Sequence, residues 1–169
     1  MKDRDVTKRV FQPVHDFTLK RRKLPHWQNP GAVYFITWRC RPDEKLSHQE
    51  QTIVLETIHY WHRRRWTVFI ALVMPDHVHV VVQPLPTSQG GYFDLGLLVK
   101  SVKGFSAKRI NLQRGAQGSV WQPERYDRII RDDQEFLEKW QYIRNNPVKA
   151  GLAPTPEEYP WLFEGDSPQ

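Results

Sequence analysis

Cysteine is nearly absent from the sequence, since Cys40 is the only one among 169 residues. A single thiol excludes a disulfide within the chain and a metal site built from cysteine pairs. Apolar runs are also short, and none reaches the roughly 18 to 20 residues that a membrane-spanning helix needs. The first residues lack the apolar segment of a secretory signal. These absences predict a soluble, cytoplasmic protein with no membrane partner.

Basic residues are more frequent than acidic ones, and the formal net charge is +6. They form clusters at 20–23, at 63–65 and along 100–109. A positive surface favours a polyanionic partner, because binding to phosphates releases counterions. Any one cluster is equally compatible with a solvated face. Together the clusters favour nucleic acid.

The chain length fits one domain, and its ends differ from its middle. Residues 1–24 are basic and lack hydrophobic periodicity, which predicts a flexible arm. Residues 25–153 form the predicted domain. Residues 154–169 are acidic and proline-rich, and we expect this tail to wrap the surface or to be disordered.

Hydrophobic periodicity predicts an alternation of strands and helices. The predicted elements are a strand at 32–40, a helix at 47–64, a hairpin at 67–83, a helix at 95–114, a strand at 120–130, and a helix from 132 to Pro147. The first helix begins with a capping box of Ser47 and Glu50, and the hairpin turns at Pro75 and Asp76. This βαββαβ order predicts an α+β, ferredoxin-like antiparallel sheet with helices on one face, followed by a C-terminal helix.

The segment MPDHVHVVV places two histidines within the predicted hairpin. Alternate residues of a strand share a face, so His77 and His79 point one way and the intervening valines point to the core. Two neutral imidazoles can bind one divalent cation if another element supplies a third ligand. The alternative is that they only form hydrogen bonds at the sheet surface.

The last predicted helix carries a tyrosine away from its apolar stripe. Phe136, Trp140 and Ile143 form that stripe, whereas Tyr142 and Asn146 lie one turn apart on the other side. A tyrosine in a helix is usually a packing residue. A phenolate is also a competent nucleophile towards phosphorus when a metal neutralises the phosphate.

Five segments in a fixed order carry a family resemblance from about Leu24 to Leu152. They are LPHWQNPGAVYFITWR, MPDHVHVVV, KSVKGFSAKRIN, VWQPERYDRIIRD and YIRNNPVKAGL. In this respect the chain resembles the HUH single-strand transposases, and specifically their REP-associated tyrosine transposase branch. The resemblance implies the ferredoxin-like fold, with the tyrosine on the C-terminal helix.

The resemblance also implies a site and a reaction. His77 and His79 match the histidine pair that holds Mg²⁺ or Mn²⁺, Tyr142 matches the catalytic tyrosine, and Asn146 matches a polar third ligand, with Asn145 as the alternative. The implied reaction cleaves single-stranded hairpin DNA of the REP kind, leaving a 5′-phosphotyrosine and a free 3′-OH. Dimeric relatives exchange the tyrosine helix, so both a monomer and a homodimer stay open.

Single-stranded DNA requires a basic groove with aromatic faces for stacking. The candidate lining residues are Lys103, Lys108, Trp121, Tyr126 and Arg128. Packing explains tryptophan and tyrosine equally well. Arg128 replaces a histidine that other branches carry after the residue equivalent to Asp127, so no proton-transfer role is assigned to it.

Two other functions are compatible with the same residues. The first is a nucleic-acid-binding module that keeps the fold without catalysis. The second is an endonuclease of the same chemistry that serves replication or conjugation, as relaxases do. The intact histidine pair and Tyr142 favour an enzyme, and the absence of a helicase-like region makes the replication role less attractive.

Overall fold

The computed structural model describes residues 18–20 and 26–165, with backbone alone for 18–20 and 26–28. The strands are β1 (Thr18–Lys20), β2 (His26–Gln28), β3 (Tyr34–Cys40), β4 (Trp66–Val73), β5 (His77–Pro84), β6 (Trp121–Ile129) and β7 (Leu162–Glu164). The helices are α1 (His48–Tyr60), α2 (Leu95–Arg114) and α3 (Asp133–Lys149), with a 3₁₀ turn at Pro156–Glu158. Within these residues, no helix is both long enough and apolar enough to cross a membrane.

The central sheet has five strands in the order β6-β3-β5-β4-β7, and every neighbouring pair is antiparallel. A separate ribbon pairs β1 with β2. The first four strands of the central sheet and the two helices between them follow the βαββαβ order. The predicted α+β, ferredoxin-like class is therefore confirmed.

Hydrophobic cores cover both faces of this sheet. Val78, Val80 and Val82 pack with apolar residues of α1 and α2. Val81 belongs to the opposite core, with Phe136 and Ile143 of α3. Since β5 residues alternate between faces, His77 and His79 lie on the α3 side, as the strand pattern predicts.

Two predicted helix ends are wrong. Helix α1 begins with the predicted capping box at Ser47 but ends at Tyr60, because the chain then turns and Arg63 adopts a left-handed φ of 61°. Helix α3 continues through Pro147 to Lys149. A proline so near the helix end removes only one hydrogen bond, its ring is buried, and its carbonyl accepts a hydrogen bond from Leu152 N at 2.8 Å.

The segment after residue 154 packs on the domain. Tyr159 is buried, and its hydroxyl donates to the Val73 carbonyl at 2.9 Å and accepts from Gln51 Nε2 at 2.9 Å. Strand β7 extends the sheet beside β4. Of the predicted basic arm, the structure describes only Thr18–Lys20, and the rest of residues 1–24 lies outside the described part of the chain.

Candidate active site

His77 and His79 form the centre of the candidate site, side by side on β5. Their ring centroids are 4.7 Å apart and the rings are nearly perpendicular, at 77°. The register with β3 places Arg39 opposite His77 and Thr37 opposite His79. Cross-strand partners share a face, so this row of side chains faces the α3 side of the sheet.

His79 is a buried imidazole with one ring nitrogen engaged. Only 4% of the residue is exposed, and its Nδ1 lies 2.6 Å from Thr37 Oγ1. Its Nε2 is buried and has no hydrogen-bond partner among the described residues. Burial is the main cause that lowers the pKa of His79 to about 3, and repulsion from His77 when it is protonated and from Arg39 adds to it. The ring is therefore neutral near pH 7.

His77 is more exposed than His79 and lies beside a carboxylate. Its Nδ1 is 2.6 Å from Asp76 Oδ1, and its side chain is 13% exposed. Burial opposes ionisation of Asp76, but the hydrogen bond and charge of His77 outweigh it and lower the pKa of this carboxyl below its ordinary value. Asp76 is therefore ionised near neutral pH and accepts a hydrogen bond from Nδ1–H.

Tyr142 contacts this pair from α3. Its ring centroid is 5.4 Å from that of His79 and 6.2 Å from that of Phe35, in edge-on arrangements. The prediction that Tyr142 projects away from the core-facing side of the helix is wrong. The side chain flanks the buried stripe of Phe136 and Ile143 and leans onto the sheet, while 45% of it stays exposed.

The two imidazoles are donors of a kind that suits a divalent cation, which would need further ligands to complete its coordination. Both histidines have Nδ1 engaged, and the Nε2 of His79 is a buried polar atom with no partner in residues 29–165. Within residues 29–165, no three histidine, cysteine, aspartate or glutamate side chains group closely enough to hold a metal. Asn146 is half-buried on α3, one turn after Tyr142, and Asn145 is exposed.

Four further residues lie around the histidine pair, and the sequence alone does not identify these four as site residues. Thr37 and Asp76 contact the imidazoles. Arg39 is the cross-strand neighbour of His77. Lys139 precedes Tyr142 by nearly one helical turn, with its Nζ 4.9 Å from the centroid of the Phe35 ring. The strand register would have identified Thr37 and Arg39, but it depends on pairing that a single sequence does not show.

Two of the five candidate DNA-lining residues lie on the same face as the histidines. Tyr126 is opposite Thr37, and Arg128 is opposite Phe35. Tyr126 is 54% exposed and contacts the Phe35 ring edge-on. Arg128 forms an ion pair with Glu135 of α3 at 2.6 Å.

The other three candidates do not join this face. Trp121 is 3% exposed, packs against Trp38, and donates from Nε1 to the Lys103 carbonyl at 3.1 Å. It offers no free ring face for a base, so the structure contradicts a stacking role. Lys103 donates from Nζ to the Gln122 carbonyl at 2.8 Å. Lys108 is exposed in a groove between α1 and α2, across the sheet from the histidines.

Known proteins resemble the chain in sequence, although no protein-family model matches it. A Haemophilus influenzae protein, provisionally named REP-associated tyrosine transposase, is 26% identical over 98 residues. That match covers 53% of this chain and 53% of the relative, so the chain spans about half of that relative's length. The REP-associated tyrosine transposase of Escherichia coli is 24% identical over 133 residues, which cover 78% of this chain and 75% of the relative.

A solved structure shares the fold. It is a REP-associated tyrosine transposase bound to a REP hairpin, with a TM-score of 0.66 at 20% sequence identity, covering 88% of this chain and 94% of the other. The resemblance that the five segments indicate is therefore confirmed. The chain is similar in sequence to proteins of this name, and it shares with the solved structure the fold whose antiparallel sheet carries the histidine pair here.

Proposed function

We propose that this protein nicks and rejoins single-stranded DNA next to REP-like hairpins, through a metal-dependent 5′-phosphotyrosine intermediate. The observation that carries the proposal is the contact between Tyr142 and His79. It joins a half-exposed phenol to a neutral imidazole whose Nε2 is buried and has no partner within the described part of the chain. A tyrosine that only packs against the sheet would not need two histidines beside it whose Nδ1 atoms both have hydrogen-bonding partners.

The metal ligands in this proposal are the Nε2 atoms of His77 and His79, with Asn146 as the third protein ligand and Asn145 as the alternative. Neutral imidazole and amide oxygen suit Mn²⁺ and, with water oxygens, Mg²⁺. When bound, the ion supplies charge neutralisation and polarisation of the scissile phosphate.

Tyr142 is the proposed nucleophile. Its phenol oxygen attacks phosphorus, a P–O bond to tyrosine forms, and the bond from phosphorus to the 3′-oxygen breaks. The phenol proton leaves to solvent, which reaches the half-exposed ring, and the departing 3′-oxygen gains a proton to become the 3′-OH. Attack of another 3′-OH on the phosphotyrosine reverses these changes and joins the strands without an external energy source.

Cationic and aromatic side chains around the pair are suited to hold the single strand. Arg39 is opposite His77 in the sheet register, and Lys139 reaches the neighbouring Phe35 ring from α3. Arg128 and Tyr126 extend the same face along β6. Cations bind phosphates, and an exposed aromatic ring stacks on any base.

The test is covalent capture of DNA. The protein is incubated with a REP-like hairpin carrying single-stranded flanks and Mn²⁺, and denaturing electrophoresis and peptide mapping identify any adduct. We expect an adduct on Tyr142, none with Tyr142→Phe, and a normal amount with Tyr60→Phe. Tyr60 is a matched control because it is similarly exposed, at 55%, on α1 across the sheet.

Two results would contradict the proposal. One is an adduct that persists at wild-type level in Tyr142→Phe. The other is a wild-type protein that binds the hairpin tightly and forms no adduct, which would favour the non-catalytic binding module. An adduct on plasmid-origin or transfer-origin DNA that exceeds the adduct on hairpins would favour the replication or conjugation role.

A further inference from the structure

The hydrogen bond to Asp76 determines the tautomer of His77. A carboxylate oxygen can only accept a hydrogen bond, so the imidazole Nδ1, 2.6 Å away, must carry the proton. The Nε2 of a neutral His77 then keeps its lone pair. This is the form in which a histidine binds a metal through Nε2.

The surroundings of His79 favour the same tautomer. Its Nδ1 lies 2.6 Å from a hydroxyl, Thr37 Oγ1, which can either donate or accept. If the hydroxyl donated, the proton of His79 would lie on Nε2, where no described residue accepts it, and a buried donor without an acceptor costs free energy. If Thr37 accepts, Nε2 is a lone pair that a cation can use.

The two hydrogen-bonding partners belong to parts of the fold that pack independently of the imidazoles. Thr37 lies on β3, directly opposite His79 in the sheet register. The turn that carries Asp76 is held by backbone hydrogen bonds, from Cys40 N to the Asp76 carbonyl at 2.8 Å and from Leu46 N to the Pro75 carbonyl at 2.6 Å. Removing the Asp76 side chain therefore leaves the turn's backbone contacts intact.

We propose that Thr37 and Asp76 are positioning residues, which hold His79 and His77 as Nδ1–H tautomers so that both Nε2 lone pairs are available to one divalent cation. The identity of the occupant rests on the proposed function, whereas the tautomers do not. Partners of this kind also orient the ring and raise its basicity, and losing one typically weakens metal binding about 10- to 100-fold. We expect a loss of that size for each.

The first measurement is made without metal. Nitrogen-15 NMR of the imidazoles, above the ordinary histidine pKa of about 6.5, reports which nitrogen of each ring carries the proton. We expect Nδ1–H for both rings in the wild type. We expect the tautomer of His79 to shift towards Nε2–H in Thr37→Val and to return to Nδ1–H in Thr37→Ser. For His77 we expect the same shift in Asp76→Ala and the same return in Asp76→Asn.

The second measurement is Mn²⁺ affinity by electron paramagnetic resonance. Thr37→Val and Asp76→Ala should bind about 10- to 100-fold more weakly than the wild type, with partial recovery in Thr37→Ser and Asp76→Asn. Thr67→Val is a matched control because it removes a hydroxyl from a half-buried position on β4. Asp43→Asn removes a similar charge from the loop after β3, where a φ of 65° suits asparagine.

The outcomes separate the two proposals. Finding Nε2–H on His79 in the wild-type protein would overturn the positioning role of Thr37, as would wild-type Mn²⁺ affinity in Thr37→Val. Wild-type affinity in Asp76→Ala would overturn the role of Asp76. If the wild type shows the expected tautomers and binds no Mn²⁺, the positioning role stands and the metal-dependent function fails.

Discussion

Burial of His79 should make the metal-free protein unusually sensitive to mild acid. The pKa of this side chain falls from its ordinary value of 6.5 to about 3, chiefly because the ring is buried. As pH falls below 6.5 the unfolded chain binds a proton that the folded protein does not accept. The stability contributed by the neutral ring is therefore complete above about pH 6.5, and it is lost as pH falls towards 3.

The size of the effect follows from the difference between the two pKa values. Each unit of pH within that window costs about 1.4 kcal/mol, so the free energy of unfolding should fall by about 2 kcal/mol between about pH 7.5 and about pH 5. His79 is only 4% exposed, so little solvent screening reduces this figure. Other groups titrate in the same range, and a variant that lacks only this imidazole isolates its part.

Urea unfolding at the two pH values, with a chelator present, measures the effect. His79→Asn keeps a hydrogen-bonding group near Thr37 and cannot be protonated, so it should lose about 2 kcal/mol less than the wild type between the two conditions. Equal pH dependence in His79→Asn and the wild type would refute the buried, neutral state of His79.

Three other perturbations test the fold and the site. Arg114→Met should lower the free energy of unfolding, measured with urea, by about 2 to 3 kcal/mol. The reason is that it removes two hydrogen bonds, of 2.5 and 3.0 Å, to the buried carboxylate of Glu50. An unchanged free energy of unfolding would contradict a structural role for this pair. Tyr159→Phe should cost about 1 kcal/mol in the same assay, since the Val73 carbonyl keeps its bond from Gln51 at 2.8 Å. If Lys139 contacts a phosphate, Lys139→Met should weaken hairpin binding and reduce the dependence of the affinity on salt. Fluorescence anisotropy in a salt series measures both effects, and an unchanged salt dependence would exclude the contact.

Local patterns were sufficient to predict most of the scaffold. The capping box of Ser47 and Glu50 begins α1, and alternation along β5 separates the histidines from the valines. These features depend on neighbours within a few residues, so one sequence contains the information. The βαββαβ order then restricts the topology, and the observed strand order follows it.

The features that could not be predicted depend on contacts between distant parts of the chain. Trp121 is a core residue because it packs against Trp38 and donates a hydrogen bond to the Lys103 carbonyl. The local sequence around Trp121 does not show these contacts. The orientation of Tyr142 depends on how α3 crosses the sheet. Thr37 lies 42 positions from the histidine whose ring it contacts, and only the strand register brings the two together.

The sheet also divides the basic residues into two groups, and this division constrains any complex with hairpin DNA. Arg39, Arg128 and Lys139 lie on the histidine face, whereas Lys108 lies across the sheet on α2. Strands β6 and β7 are the two edges of the sheet, so a DNA molecule that contacted both groups would have to pass around an edge or an end of the sheet. A single strand bound only at the site would contact the first group alone. If the double-stranded stem reaches α2, Lys108→Glu should weaken binding of a hairpin and leave binding of a short single strand unchanged. Equal losses of affinity for the two DNAs would exclude that arrangement.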